Sequence, residues 1–247
     1  YAHKSWVVDA SGNFNTTSGE VTIDTINPGL NFTSPTPENN SNVSAIYVNI
    51  TSNDTNEHSV FLDLDNSLIG WWRMDDYNST HVFDYMDWYN GTITGTLEPG
   101  IGKRGDSLIF DDDYVTMNLP NLTTRTLSFW FRAIDNTSTN GILVADGPSW
   151  QGWTARTDRN SLVYHNSVGV DIISTAMQHD TWHHVVMVVD TNTSVYVDGQ
   201  YRASDPETTN QTGFRLGARN SFQDLRFNGS LDDVMIFNRS LSAVEVR

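Results

Sequence analysis

The chain has 247 residues, 38% of them hydrophobic and 11% aromatic, with eight tryptophans, a net charge of −16 and no cysteine. That much apolar material suits one large β domain, or a medium domain with a smaller piece, and excludes wholesale disorder. Lysine occurs only at Lys4 and Lys103 and most of the acid is Asp, which argues against nucleic acid and anionic membranes. The absence of cysteine excludes disulfides, zinc–thiolate sites and cysteine nucleophiles.

Asn-x-Ser/Thr acceptors recur along the chain. They fall at Asn15, Asn31, Asn39, Asn42, Asn49, Asn53, Asn78, Asn90, Asn121, Asn136, Asn192, Asn210, Asn228 and Asn238. Such acceptors require accessible surface on an exported protein, so the chain reads as an N-glycosylated, extracellular, cell-surface protein. A cysteine-free exported β protein fits a bacterial or archaeal surface better than an animal one. No apolar run approaches the roughly 18 residues that span a bilayer. Tyr1-Ala2-His3-Lys4 has neither the charged start nor the apolar stretch of a signal peptide, so the sequence is expected to be an interior cut of a longer or processed chain.

In chain order, "SWVVDASGNFN" predicts a strand and a turn, and "GEVTID" a second strand with Val21 and Ile23 on one face. Residues 27–42, rich in Pro, Asn and Ser, predict a linker. "VSAIYVNIT" alternates as a strand, and "SNDTNEH" predicts a loop. From about residue 60 the texture changes. Short aromatic strands recur between Gly and Asn/Asp turns: "SLIGWWRM", "GDSLIF", "YVTMNL", "TLSFWFRA", "GILVAD", "WQGWTAR", "SLVYHN", "TWHHVVMVVD", "SVYVDGQYR", "GFRLGA" and "LDDVMIFN". A dozen such strands with almost no helical period predict an all-β, antiparallel two-sheet sandwich. The clearest hairpin is "SVYVDGQYR", because Asp198-Gly199 supplies the two positive-φ residues of a type I′ turn. "SLSAVEV" alone hints at a short helix.

Two resemblances follow from these motifs. "DASGN", "VTIDTINP" and "SPTP" resemble the tandem immunoglobulin-like repeats of prokaryotic surface proteins, so residues 1–57 are expected to be partial Ig-like strands and a linker. "LIGWWRMDD", "DWYNGTITG", "PGIGKRGDSLIFDDDYVTM", "TLSFWFRA", "DTWHHVVMVVD", "VYVDGQYR" and "FNGSLDDVMIFNRSLSAVEV" follow one another as in the laminin-G-like, concanavalin A-like jelly-roll family of extracellular proteins. The resemblance implies a jelly-roll domain over 58–247.

It also implies a Ca²⁺ site between the loop after the first strand and the strand near the C-terminus. Matched positions are Asp87 and Asn90 in "DWYNGT" and Asp232 with Asp233 in "GSLDDV"; "FDDDYV" adds a second acidic loop with Asp113. Calcium wants six to eight hard oxygens, which carboxylates and loop carbonyls supply. Strand alternation sends Asp232 and Asp233 to opposite faces, so at most one points inward. His179, His183 and His184 have a zinc-like spacing, but no helix brings them together, and the strand sends His183 and His184 to opposite faces. Aromatic rings stack on the apolar faces of sugars, so Trp88, Tyr89 and Trp150, in predicted loops, are the ligand-binding candidates.

Catalysis finds little footing. The six Glu stand far apart in sequence, and there is no nucleophile elbow and no phosphate-binding glycine loop. The expected function is therefore non-catalytic: binding to glycans or surface proteins, or adhesion. A structural subunit that assembles with copies of itself by strand addition is the alternative, and a glycoside-active enzyme is the second.

Overall fold

The structure is a computed structural model that describes residues 2–8, 14–20, 29–38, 42, 44, 47–53, 63, 65–134, 141–146, 154–158, 161–165, 171–206, 213–218 and 226–246. The chain divides into two compact units, Tyr1–Leu62 and Asp63–Arg247.

The first unit contains two antiparallel pairs: β1 (Ala2–Val8) with β2 (Phe14–Glu20), and β3 (Gly29–Thr33) with β4 (Asn49–Asn53). β3 lies inside the stretch expected to be a linker. Leu30 and Phe32 there keep the two-residue period of a strand, and pairing with β4 satisfies the backbone that Asn and Pro composition alone would leave as loop. The strand expected over "VSAIYVNIT" begins only at Asn49; Val43, Ala45 and Ile46 lie outside the described residues, as does the Val21–Asp24 part of "GEVTID".

In the second unit, chain order runs β5 (Leu68–Trp72), β6 (His81–Val82), β7 (Gly91–Thr94), β8 (Glu98–Ile101), β9 (Asp106–Asp111), β10 (Tyr114–Met117) and β11 (Arg125–Ala133). It continues with β12 (Gly141–Asp146), β13 (Thr154–Asp158), β14 (Ser161–His165), β15 (Asp171–Ala176) and β16 (His183–Val189). β17 (Thr193–Val197), β18 (Gln200–Asp205), β19 (Phe214–Leu216) and β20 (Asn228–Phe237) complete it. One sheet has the order β15-β14-β13-β12-β19-β10-β7-β6. The other runs β18-β17-β16-β11-β20-β9-β8, and β5 also pairs with β20. Every pairing is antiparallel, and the described residues contain no helix, so the unit is an all-β jelly-roll sandwich.

The sheets close on an aromatic core. Trp72, Phe110, Phe129, Phe131 and Phe227 are fully buried, and Leu108, Met117 and Leu143 fill the space between them. β11 shows how sequence sets this: Leu127, Phe129, Phe131 and Ala133 face inward while Ser128, Trp130 and Arg132 face out. The β17–β18 turn is as expected, with Asp198 and Gly199 both left-handed (φ 51° and 71°). The segment expected to be a short helix is a single turn at 243–246. Ser242 and Glu245 brace it: the Ser242 N–H donates to the Glu245 carboxylate at 2.8 Å and the Ser242 hydroxyl donates to the same carboxylate at 2.7 Å.

Trp72 joins core and loop, since its indole N–H donates to the Tyr89 carbonyl at 2.8 Å. Trp72→Ala is expected to lower stability by about 3–5 kcal/mol, measured as a lower urea midpoint with an unchanged denaturant slope.

Candidate binding surface

Residues 84–90 follow the short strand β6. Val82 is buried, and Asp84, two residues on and in the same phase, is buried too. A buried carboxylate needs donors, and here it has four. Asp84 Oδ1 accepts the Trp71 N–H at 2.8 Å and the Met86 N–H at 3.0 Å; Oδ2 accepts the Trp88 N–H at 3.2 Å and the Tyr89 N–H at 3.0 Å. The Asp84 N–H donates to Asn90 Oδ1 at 2.9 Å, closing the loop, and the Tyr85 N–H donates to the Trp71 carbonyl at 2.8 Å, fastening it to β5. Asp87 takes the left-handed turn position, φ 64°, which Asp tolerates.

This clamp decides which aromatics face water. Trp88 is 58% exposed and Tyr85 is 66% exposed, whereas Tyr89 packs against the core. The sequence had placed Tyr89 with Trp88 as a ligand-binding residue. Its ring is instead held inward by the same loop whose carbonyl caps Trp72. Tyr85, which the sequence reading passed over, stands at the surface with Trp71, their ring centroids 5.1 Å apart edge to face. Arg73 lies over both rings, 5.7 Å from Trp71 and 5.9 Å from Tyr85, and is held by Asp75 at 2.7 Å. Trp150 lies outside the described residues.

The network continues through β20. The Trp71 indole N–H donates to Asp233 Oδ1 at 2.9 Å. Asp232 Oδ2 accepts the Lys103 N–H at 2.7 Å and the Arg104 N–H at 3.0 Å, and the Arg104 side chain approaches Asp233 at 3.9 Å. Alternation predicted opposite faces for these two carboxylates, yet both serve one loop. The reason is a bulge: the β11–β20 register shifts between Ser128 and Trp130, and Asp233 sits in a left-handed conformation, φ 45°. Burial pushes the Asp232 carboxyl up to about 7, with Asp233's charge adding to the rise against three backbone hydrogen bonds. Burial also raises Asp75.

The four calcium candidates are not gathered into one set. Among the described residues no three His, Asp or Glu side chains converge, so Asp87, Asp113 and Asp232 form no common cluster. Asp113 accepts the Thr96 N–H at 2.9 Å and the Asp111 N–H at 3.4 Å, filling the space where a side chain on Gly95 (φ 107°) would collide. Asn90 Oδ1 is used by Asp84, and Asp232 Oδ2 by the 103–104 loop. Asp232 Oδ1 is buried without a hydrogen-bond partner, so this carboxylate keeps one oxygen uncommitted, but among the described residues Asp87, Asp113 and Asp232 do not converge and the four residues do not supply one calcium shell. The histidines are also structural partners. His183 Nδ1 lies 2.9 Å from Asp198 Oδ2, and His184 Nε2 lies 2.8 Å from the Ser128 hydroxyl, its ring stacked on Trp130.

Among the sequons, Asn31, Asn42, Asn49, Asn53, Asn78, Asn90, Asn121, Asn192 and Asn238 are exposed. Asn228 is half-buried in β20, with its amide donating to Asp111 at 3.3 Å. Asn15 lies on β2; Asn39, Asn136 and Asn210 fall outside the described residues.

Residues 110–247, more than half of the chain, match the family model Laminin_G_3, the concanavalin A-like lectin/glucanases superfamily. The chain belongs to this superfamily. Among solved structures, the concanavalin A-like unit resembles domain 4 of AbnA, a GH43 extracellular arabinanase from Geobacillus stearothermophilus, in complex with arabinotriose. The TM-score is 0.63 at 18% identity, over 73% of this chain and 96% of that one. The Trypanosoma rangeli sialidase in complex with the inhibitor DANA aligns at TM-score 0.59 and 15% identity, over 73% of this chain and 32% of that one. The binding domain of botulinum neurotoxin DC in complex with rat synaptotagmin II aligns at TM-score 0.57 and 14% identity, over 74% and 51%. These likenesses establish the fold. By sequence, the non-toxic nonhemagglutinin of Paraclostridium bifermentans is 26% identical over 166 residues, 63% of this chain, which spans only 13% of that protein's length. Among the described residues, no helix is long and apolar enough to cross a membrane.

Two outcomes follow. Asp84→Ala leaves four partly buried amides without their acceptor and is expected to cost about 2–4 kcal/mol, with faster proteolysis at the 84–90 loop in a limited digest. Asp232 keeps its proton in the folded state where the unfolded chain has released it, so stability falls as pH rises from about 4 to about 7. In Asp232→Asn that part of the fall is expected to vanish, read from urea midpoints compared at about pH 4.5 and 7.5.

Proposed function

We propose that the chain is a non-catalytic binding module of an extracellular surface protein, and that it recognises an oligosaccharide through the Tyr85 and Trp88 surface. One observation carries this reading: a buried carboxylate holds the 84–90 loop in a single shape, and that shape sets two large aromatic rings in water. A loop kept for packing alone would turn those rings inward, as it does Tyr89. Rigid exposed rings stack on the apolar faces of sugars with little further ordering cost. Arg73, which lies over Tyr85 and pairs with Asp75, supplies a donor for hydroxyls.

The relatives support the same direction. Domain 4 of AbnA is seen with arabinotriose, and the botulinum domain with synaptotagmin II, so this architecture serves binding in both. The exposed sequons support N-linked glycans on the chain's own surface, and export with them.

Binding of whole chain to an arrayed panel of neutral and acidic oligosaccharides tests the reading, with affinities then measured by calorimetry. Trp88→Ala and Tyr85→Ala are each expected to weaken binding about tenfold or more, Trp88→Ala with the melting temperature unchanged because its ring is exposed, and Tyr85→Ala with a small drop from the lost Trp71 contact. Undiminished affinity in both variants would refute the site.

A further inference from the structure

We propose a second saccharide subsite, for a neutral pyranose, between the β17–β18 hairpin and the C-terminal turn. It shares with the preceding section the reading of the chain as a sugar binder, but stands on different residues.

Tyr196 and Tyr201 are cross-strand partners, which puts both rings on one face. Their centroids lie 5.6 Å apart at 71°, and Tyr201 is 55% exposed. The tight Asp198-Gly199 turn fixes their separation. The opposite wall comes from the end of the chain. Val186 and Val188 on the outer side of β16 are covered by Leu241 and Val246, and Tyr196 packs against this small cluster. The turn over it is held by the two hydrogen bonds from Ser242 to the Glu245 carboxylate and by Arg239, whose Nη2 donates to Glu245 Oε1 at 2.8 Å. The Arg239 hydrogen bond, with those from Ser242, draws the Glu245 carboxyl down to about 2. Between these walls lies an open groove of about 520 Å³ lined by Tyr196, Gly199, Gln200, Tyr201 and Ala243.

The lining selects the ligand class. Among the described residues it holds no charged side chain, in a protein of net charge −16, so an acidic sugar would find no counter-ion there. Two phenol rings offer a stacking face, and their hydroxyls with the Gln200 amide offer both donors and acceptors. Rings plus a neutral amide match the apolar face and hydroxyl rim of an uncharged pyranose. A purely aliphatic peptide segment would leave the Gln200 amide unmatched.

Saturation-transfer NMR on the whole chain, with methyl glucoside, galactoside and mannoside as probes, tests this. At least one probe is expected to receive saturation. The transfer should fall about tenfold in Tyr201→Ala, fall also in Gln200→Ala, persist in Tyr201→Phe, and stay unchanged in Trp88→Ala. Tyr201 is exposed, so an unaltered melting curve confirms that each variant is folded. Absence of transfer to all three probes, or transfer undiminished in Tyr201→Ala, overturns the proposal. Transfer lost in Trp88→Ala and kept in Tyr201→Ala overturns it while leaving the Tyr85 and Trp88 site standing, and the oligosaccharide affinities of Trp88→Ala and Tyr85→Ala judge that site separately.

Discussion

The carboxylate of Asp84 organises the surface on which the functional reading rests. Its two oxygens gather four backbone N–H groups from β5 and from the loop itself, so one buried charge replaces the regular pairing that the loop lacks. Each bond to an ionised acceptor is stronger than a neutral one, and together they leave the 84–90 segment little freedom. The positions of Tyr85, Trp88 and Tyr89 then follow from geometry. Two rings face water and one faces the core, although all three lie within five residues of sequence.

The sandwich makes this possible. A core of fully buried aromatics holds the two sheets face to face, and Trp72 reaches from that core to the loop carbonyl at Tyr89. The same sheet carries the bulge in β20. A regular strand would have split Asp232 and Asp233 between faces; one extra residue lets both engage the 102–105 loop, one through backbone amides and one through Arg104. Of the residues matched to a calcium site, Asn90, Asp113 and Asp232 accept backbone amides. Carboxylates at turns and carboxylates around a metal look alike in sequence, because both are Asp in polar loops; only the direction of the nearest N–H groups separates them.

Most of the second unit was readable in advance. "TLSFWFRA" and "TWHHVVMVVD" alternate cleanly, and the structure pairs them as β11 and β16 in register from Arg125↔Val189 to Phe131↔His183. The Asp-Gly turn was readable because its backbone demands are local. Strands β6, β7, β8 and β15 were not picked out, since they are short and their identity depends on a neighbour across the sheet. β3 was missed for a related reason, its Leu and Phe being embedded among Asn and Pro. Asp84 left one trace, an acid in the buried phase set by Val82, and that trace has meaning only once the strand is known to be a strand.

The sequence by itself determined the fold class, the order of the principal strands and the hydrophobic faces, because two-residue periodicity and turn chemistry act within a few neighbours. It also determined the acidity, the freedom from disulfides and the sequon positions, which are properties of composition. The tertiary structure alone decided which aromatics are displayed, which carboxylates are spent on backbone amides, and where cavities open. Those outcomes depend on residues far apart in the chain, such as Trp71 with Asp233, whose meeting is fixed by packing rather than by spacing.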